Sequence, residues 1–348
     1  LGGSMGTTGS LWNHNASGTF TKSAQKLFEQ DKIKDDVDVL FFDCDNDGDQ
    51  DLYVVSGGTE NESEENYQDR LYINVNGKFN LSDGLPRYFK SGSCVTASDI
   101  DNDGDMDILL VGEWMNITLL ENSNGHFEDN SEKWGLQSTK GIWWSITPVD
   151  IDNDGDEDYV VGNLGLNNKF KPTKDHPLRI YANDFDKNGT NDIVLAKEYK
   201  DSYVPLRGRE CMSNQMPYVA DKFKDYHTYA SSKLTDILPT GRIENTVTHE
   251  IKSLESIILI NSGGKLIQKP LPTEAQVFPI KSSLFGDFNE DGHMDILVVG
   301  NHYGVEVETI RYDSGVGCLL LGDGSSNLIP IPATKSGINI PKDSRHIN

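Results

Sequence analysis

Short runs of apolar and β-branched residues flank a polar segment of nine residues at five places along this chain. Runs of this length, bounded by turn-forming residues, are typical of β-strands. The sequence therefore predicts a recurring unit of strand, polar loop and strand. The strand-forming runs are residues 37–42 with 52–55, and then 108–111, 159–161, 193–195 and 296–299.

Alternating apolar and polar residues closed by an Asn or Gly turn also recur, and this pattern predicts β-hairpins. A repeat then consists of a strand, a polar loop, a second strand and a hairpin, which give four strands in an up-and-down sheet. The polar loops begin at residues 43, 99, 150, 184 and 287, a spacing around the period of about 40–50 residues that propeller blades have. We expect an all-β fold, a β-propeller of four-stranded blades. The hairpins are residues 10–20, 70–79, 117–127, 257–266 and 319–328.

Residues 1–348 are interpreted as a single propeller domain whose two ends fall within repeats. Residues 1–25 hold a hairpin with no polar loop before it, so we interpret them as half of a blade. Residues 205–246 change to helical spacing, with Pro217 near a helix start, and predict an insertion of one or two short helices. The apolar stripe expected to pack against the blades is Met212, Met216, Val219, Phe223 and Tyr226.

The polar loops carry oxygen-bearing residues at alternate positions, which is the arrangement that calcium prefers. Calcium takes six to eight oxygen ligands, and short carboxylates on alternate residues can converge on one ion. We expect side-chain oxygens from positions 1, 3, 5 and 9 and the backbone carbonyl from position 7, with glycine at position 6 for the sharp turn. Flanking strands and an acid at position 9 instead of 12 exclude an EF-hand.

Five loops have this spacing, so up to five calcium ions are predicted. Asn188 at position 5 of the fourth loop and Asn289 at position 3 of the fifth loop are neutral oxygen donors, so these sites should be weaker. Positions 1, 3, 5, 7 and 9 are Asp43, Asp45, Asp47, Asp49 and Asp51; Asp99, Asp101, Asp103, Asp105 and Asp107; Asp150, Asp152, Asp154, Asp156 and Asp158; Asp184, Asp186, Asn188, Thr190 and Asp192; and Asp287, Asn289, Asp291, His293 and Asp295.

The composition disfavours two classes of partner. The net charge is -24, from 31 basic and 55 acidic residues among 348, so a nucleic-acid backbone is not an expected partner. No apolar run approaches the roughly 18 residues of a membrane-spanning helix. Because many of the acidic residues lie in the loops, we interpret the acidity first as a metal-binding requirement.

The motif Asp-x-Asp-x-Asp-Gly-x-x-Asp between strands resembles the signature of FG-GAP/VCBS repeats, the blades of integrin-α-like propellers. The resemblance spans almost the whole chain. Residues 111–115, 162–167 and 306–313 look like large VCBS-repeat proteins of bacterial surfaces, often those with an ASPIC/UnbV-type domain, although that domain is not evident here. The resemblance implies a propeller, seven-bladed in the intact protein and stiffened by calcium. It also implies an extracellular or bacterial cell-surface location, secreted or associated with the outer membrane.

Connections in a four-stranded meander alternate between the two ends of the sheet, so the end opposite the metal loops is a candidate binding face. Loops on a rigid scaffold often carry binding residues, and aromatic rings among amides and carboxylates suit a glycan or a protein ligand. The alternative is that the tryptophan packs between blades and the asparagines cap turns. The candidate face is Glu113, Trp114, Asn163, Asn301, His302, Tyr303 and Arg311.

The leading functional hypothesis is a calcium-stabilised extracellular or cell-surface propeller that acts as a protein- or glycan-binding or assembly module. No nucleophile elbow, phosphate loop or redox cysteine pair occurs in the sequence. A second hypothesis is a polysaccharide-active, lyase-like enzyme that uses His302, Tyr303 and Arg311. A third is a purely structural spacer.

Overall fold

The strand-forming runs form antiparallel four-stranded sheets in the computed structural model, which describes residues 2–58, 63–88, 90–306 and 309–347. The fold is mostly β, and its four-stranded sheets are those of a β-propeller. Its residues group into two units. Unit 1 comprises Leu1–Asn167, Glu255–Tyr303 and Tyr312–Asn348, and unit 2 comprises Asn168–Leu254 and Gly304–Arg311.

Unit 1 begins with a hairpin and two complete sheets, which we call blade 1 and blade 2. In blade 1 the strands are paired in chain order, and in blade 2 the second strand is extended and pairs at its end with a fifth, short strand. The hairpin is β1 (Trp12–His14) and β2 (Phe20–Lys22); blade 1 is β3 (Asp36–Phe42), β4 (Asp51–Ser56), β5 (Arg70–Val75) and β6 (Lys78–Leu81); blade 2 is β7 (Gly92–Ser98), β8 (Asp107–Met115), β9 (Thr118–Ser123) and β10 (His126–Asp129), with β11 (Gly141–Ile142) as the extra strand.

The chain then forms the first half of a third blade and enters unit 2. Unit 2 holds one antiparallel sheet and, among its described residues, four short α-helices within the segment 205–246. The blade 3 strands are β12 (Ser145–Val149) and β13 (Asp158–Gly162). The unit 2 elements are β14 (Leu178–Asn183), β15 (Asp192–Glu198), β16 (Tyr203–Pro205), α1 (Arg209–Gln215), α2 (Tyr218–Lys222), α3 (Tyr226–Ala230), α4 (Leu234–Ile237) and β17 (Val247–Ile251), with sheet order β16-β15-β14-β17.

Blade 3 is completed only after unit 2, when the chain returns to unit 1. Tyr159 of β13 pairs with Leu259 in the next strand, so the hairpin at 257–266 belongs to blade 3 and not to a repeat begun by the fourth loop. The sequential interpretation of the repeats therefore differs from the structure at this point. The remaining elements are β18 (Ile257–Asn261) and β19 (Leu266–Pro270) of blade 3, and β20 (Ile280–Gly286), β21 (Asp295–Gly300), β22 (Cys318–Gly322) and β23 (Leu328–Ile331) of blade 4, followed by α5 (Ala333–Ser336).

The continuous apolar runs arise because the second strands of blades 2 and 3 are buried on both faces. In β8, Ile108 and Leu110 pack against blade 1, whereas Leu109 and Val111 pack against blade 3. Three large apolar clusters join blade 1 to blade 2, blade 2 to blade 3 and blade 3 to blade 4. The first strands β3, β7, β12 and β20 are neighbours in that order.

The helices of unit 2 are shorter and more numerous than the sequence predicted. Met212, Met216, Val219 and Phe223 are buried as expected, but Tyr226 is 62% exposed. The helical spacing does not continue through one helix, because Met216 and Phe223 are the C-caps of α1 and α2, and Asp225 then caps a new helix. Tyr226 thus lies in the exposed first turn of α3, and Tyr229 takes the buried position. No helix among the described residues is long and apolar enough to span a membrane.

Candidate metal centres

Each polar loop joins two neighbouring strands of one sheet. The loops that begin at 43, 99, 150 and 287 join the first and second strands of blades 1 to 4, and the loop that begins at 184 joins β14 and β15 in unit 2. All five have a residue in the left-handed conformation at position 4, followed by the glycine at position 6 with φ between +87° and +96°. A side chain at position 6 would be strained, so glycine serves its expected role there. The position 4 residues are Asn46, Asn102, Asn153, Lys187 and Glu290.

The loops are closed by hydrogen bonds from their own backbone to their carboxylates. Oδ2 of the position 1 aspartate accepts the N–H of the position 6 glycine at 2.8–3.2 Å in all five loops. The side-chain oxygen at position 5 accepts the N–H of position 7 at 2.8–2.9 Å. These bonds fix the loop shape. In the second, fourth and fifth loops Oδ1 at position 1 also accepts the N–H of position 5 at 3.0 Å, whereas in the first and third loops it accepts no hydrogen bond.

The carboxylates at positions 1, 3 and 9 converge in four of the five loops. In each group one ligand atom per residue lies within 4.8 Å of the others. In the first and third loops, Oδ1 at both position 1 and position 3 is buried and accepts no hydrogen bond from the protein. Buried polar atoms without partners are rare, and a hard cation such as calcium would satisfy them. The groups are Asp43, Asp45 and Asp51; Asp99, Asp101 and Asp107; Asp150, Asp152 and Asp158; and Asp184, Asp186 and Asp192.

The charges in these groups disfavour ionisation in the absence of a cation. Burial raises the pKa of Asp107 and of Asp158 to about 7, and the carboxylates at positions 3 and 5 of the same loops add to the shift. Burial and neighbouring carboxylates also raise the pKa of Asp45, Asp101 and Asp152. A bound cation would favour the charged form of each carboxylate. The residues present therefore fit calcium.

The position 9 aspartate connects the loop to two strands. It is almost fully buried in every loop. In blade 2, Asp107 Oδ2 accepts the N–H of Ile100 at 3.0 Å and Oδ1 accepts the N–H of Asn122 in β9 at 2.7 Å. The same pair of bonds occurs in blades 1, 3 and 4. This residue therefore holds the loop closed and joins it to the third strand.

The side chain at position 7 has a role that the sequence did not reveal. Asp105 Oδ1 accepts a hydrogen bond from Asn46 Nδ2 of the preceding loop at 2.6 Å, and Oδ2 accepts the N–H of Asn124 at 2.9 Å. Asp156 Oδ1 likewise accepts a bond from Asn102 Nδ2 at 2.9 Å. The position 7 side chains of the second and third loops thus connect each loop to the preceding one, while only the position 7 carbonyl is predicted to bind metal.

The fourth and fifth loops differ in a way that separates their expected affinities. Asn188 at position 5 lies outside the converging group, so the fourth loop keeps all three carboxylates. Asn289 replaces the position 3 carboxylate of the fifth loop, and its Nδ2 donates to Asp291 Oδ2 at 2.8 Å. We therefore expect the fifth loop to bind calcium more weakly than the fourth.

Two asparagines of the candidate binding face are fully buried in unit 1. Asn163 accepts the N–H of Ile142 and of Leu164 through Oδ1. Asn301 donates to the carbonyl oxygens of Gly315 and Lys342 and accepts the N–H of Gly315. Both side chains anchor connections, and a ligand at the surface would not reach them.

The other residues of the candidate face are partly exposed, except that Arg311 is exposed and belongs to unit 2. Glu113 and Trp114 lie near the end of β8, and Trp114 has a φ of 58°. Burial raises the pKa of Glu113. Tyr303 donates its hydroxyl to the carbonyl of Pro341 at 2.7 Å.

His302 belongs to a side-chain cluster that the sequence did not predict. Its ring centroid lies 4.9 Å from that of Trp144, and its Nδ1 lies 3.1 Å from Lys281 Nζ. Lys281 also donates to Asp343 Oδ1 at 2.8 Å and lies 5.1 Å from the centre of the Trp144 ring. Burial lowers the pKa of Lys281, and Asp343 opposes this shift. These residues come from distant parts of unit 1, so only the fold brings them together.

Comparison with known families identifies a repeat family in this chain. A family model described as an FG-GAP-like repeat matches residues 43–110 and 99–161, which contain the first three metal loops. No curated protein matches the chain.

Replacing Asp107 by Ala should destabilise the protein more than replacing Asp105 by Ala. The first change leaves two backbone N–H groups without their acceptor and removes a converging carboxylate, with an expected cost of about 2–4 kcal/mol. The second removes one bond between loops and one turn bond, with an expected cost of about 1 kcal/mol. Urea unfolding with and without chelator measures both. Equal, chelator-sensitive losses in the two variants would contradict the ligand assignment.

Replacing Asn289 by Asp should tighten calcium binding at the fifth loop by at least about tenfold, because it restores the third carboxylate. The matched change Asp186→Asn should weaken the fourth loop by a similar factor. Isothermal titration calorimetry, with metal analysis of each variant, reports both. If Asn289→Asp left affinity and stoichiometry unchanged, the convergence of positions 1, 3 and 9 would not determine binding.

Proposed function

The chain carries FG-GAP-like repeats, and from this premise we propose that it is a calcium-stabilised β-propeller module that binds a protein or a glycan outside the cell. The metal loops at one end of the blades are structural elements. The ligand binds at the opposite end of the blades in unit 1. The protein is secreted or held at the cell surface, where calcium is abundant enough for sites with dissociation constants of about 10⁻⁴–10⁻³ M.

The observation that carries the calcium part is the repeated convergence of three carboxylates in one loop. Four loops hold such groups, and two of them bury unpaired oxygens at positions 1 and 3. In blades 1 to 4 the loop is also joined to the third strand through its position 9 aspartate. A cation bound there would therefore stabilise the strands as well as the loop, because ligands that bind only the folded state raise its stability.

The binding part is supported by the chemistry at the opposite end of unit 1. Glu113 of β8 pairs with Ile142 of β11. Trp144 lies two residues after Ile142, and its ring packs on His302 and Lys281. Trp144 Nε1 is buried and makes no hydrogen bond. Partly exposed aromatic rings beside charged groups suit sugar rings or the side chains of a protein partner.

Removing calcium should lower the melting temperature of the protein. For four occupied sites, loss of the ion from each site would lower the free energy of unfolding by roughly 1–3 kcal/mol, if calcium is first present at about 10–100 times the dissociation constant. Differential scanning calorimetry with and without EGTA tests this, with metal analysis of the untreated protein. No bound metal and an unchanged melting temperature would refute the proposal, whereas restoration by calcium and not by magnesium would support it.

The proposed binding face can be tested with defined probes. We expect the full chain to bind at least one member of a panel of neutral and acidic polysaccharides and extracellular matrix proteins. Trp114→Ala and His302→Ala should weaken that binding by about tenfold or more, as expected for central aromatic contacts. Asp105→Ala, at the metal-loop end, is the matched control and should leave binding unchanged. Binding that is lost only in Asp105→Ala would place the ligand at the metal-loop end of the blades and would contradict the proposal.

A further inference from the structure

The outer face of blade 1 carries an unusually exposed apolar groove. The groove has a volume of about 450 Å³ and lies between this face and the hairpin β1–β2. Phe20 is 63% exposed, Phe41 46%, and Trp12 and Val39 each 43%. Exposed apolar patches of this kind mark interaction sites.

The blade interfaces within unit 1 indicate the kind of surface that fits. The first and third residues after each metal loop face the preceding blade: Ile108 and Leu110 in blade 2, and Tyr159 and Val161 in blade 3. Blade 4 repeats the pattern with Ile296 and Val298. The equivalent residues of blade 1 are Leu52 and Val54, and both line the groove. The groove thus occupies part of the place that a preceding blade occupies in the other three interfaces, and Leu11, Leu27 and Phe28 pack in the cluster that covers Leu52 and Val54.

The first strands of blades 1 and 2 also indicate that the groove corresponds to an interface between blades. Val95 and Ala97 of β7 pack in the cluster shared with blade 1. Their register places them opposite Leu110 and Ile108, just as Val39 and Phe41 lie opposite Val54 and Leu52 in blade 1. The side chains that blade 2 buries against its neighbour are therefore the ones that blade 1 exposes.

The hydrogen bonds between neighbouring metal loops run in one direction along the chain. The position 4 asparagine of one loop donates to the position 7 aspartate of the next, through Asn46 and Asp105 and through Asn102 and Asp156. Asp49 holds position 7 in blade 1, and its Oδ2 accepts the N–H of Asn76 at 2.8 Å. Among the described residues no donor is assigned to Asp49 Oδ1. This oxygen is the acceptor that an asparagine at position 4 of a preceding loop would use.

A second pair of atoms repeats the pattern. Asn122 Nδ2 donates to the carbonyl of Met106 in its own loop and to the carbonyl of Cys44 in the preceding loop. Asn74, its equivalent in blade 1, donates to the carbonyl of Gln50 in its own loop at 3.0 Å. The second N–H of Asn74 is thus in place for the position 2 carbonyl of a preceding loop.

The hairpin β1–β2 supplies the rest of the site. Its turn resembles the one that ends blade 4, because Asn15 Oδ1 accepts the N–H groups two and four residues on, as Asp323 Oδ1 does. In the described part of the chain, β1 pairs with β2 alone. Its other edge is therefore available for a further strand, and exposed edges of this kind pair readily.

We propose that the groove binds a strand–metal loop–strand segment of the same repeat type, with asparagine at loop position 4. The second strand of the segment pairs with the open edge of β1, its apolar face covers Val39 and Phe41, and its asparagine donates to Asp49 Oδ1. The docked segment and the hairpin β1–β2 together make a four-stranded blade. This site is separate from the proposed ligand-binding face and does not depend on it.

A chain extended by a copy of such a segment tests the proposal. Residues 91–113, which hold β7, the second metal loop and the start of β8, contain Asn102 at position 4 and no tryptophan. We would join this copy through a flexible Gly/Ser linker ahead of residue 2 of the full chain. In calcium, the copy should protect Trp12 from acrylamide quenching, with a Trp12→Phe chain used to isolate its signal. The melting temperature should rise by at least about 3 °C, a shift typical of added contacts in a domain of this size.

The matched control changes only the added copy. Asn102→Asp within the copy places a carboxylate against Asp49, so protection of Trp12 should be lost, and Asp49→Asn in the chain should restore it. Because the first substitution lies outside the original chain, it leaves that chain's own fold unchanged. The proposal would be overturned if the added copy left the quenching of Trp12 unchanged. It would also be overturned if the protection of Trp12 were the same with and without the two substitutions. Dimerisation of the unextended chain that Phe41→Asp abolishes would also overturn it, since a second copy would then cover the groove.

Discussion

The structure depends on a buried carboxylate at the ninth position of each metal loop. This aspartate accepts one backbone N–H from the start of its loop and, in blades 1 to 4, another from the third strand. A charge with almost no exposure to solvent is costly unless it has partners. Two N–H donors meet part of that need, and a cation shared with positions 1 and 3 would meet the rest. The loops are thus part of the sheet's hydrogen bonding as well as metal sites.

Packing between blades imposes a second constraint on the same few residues. The second strands of blades 2 and 3 bury both faces, as Ile108 and Leu109 of β8 do in different clusters. Such strands read as unbroken apolar runs, and nothing in an unbroken run specifies its register. The register is fixed where the run begins, because Asp107 must reach both Ile100 and Asn122. The asparagine at position 4 then aligns one loop with the next.

Much of the fold and of the metal centres could be predicted from the sequence, because both follow from short-range patterns. The strand runs, the hairpin turns and the alternating carboxylates each lie within about ten residues. The discontinuity of blade 3 could not be derived from them, although one signal was present: the fourth loop begins at 184, only 34 residues after the third at 150. That interval is too short for a complete blade. The cluster of Trp144, Lys281, His302 and Asp343 gave no signal, since its members meet only through tertiary packing.

The interruption of blade 3 has a consequence for the order in which the protein can form. Leu52 of blade 1 pairs with Tyr72, so a short loop separates the two strands. Tyr159 of blade 3 pairs with Leu259 and is separated from it by a much longer loop. Closing the longer loop costs about 1.4 kcal/mol more in chain entropy. On the ribosome the delay is roughly 5–20 s, at synthesis rates of about 5–20 residues per second. Throughout that time β13 presents an apolar edge without its partner strand, so the third blade is where nascent chains of this protein are most exposed to misfolding and where chaperones would have most to do.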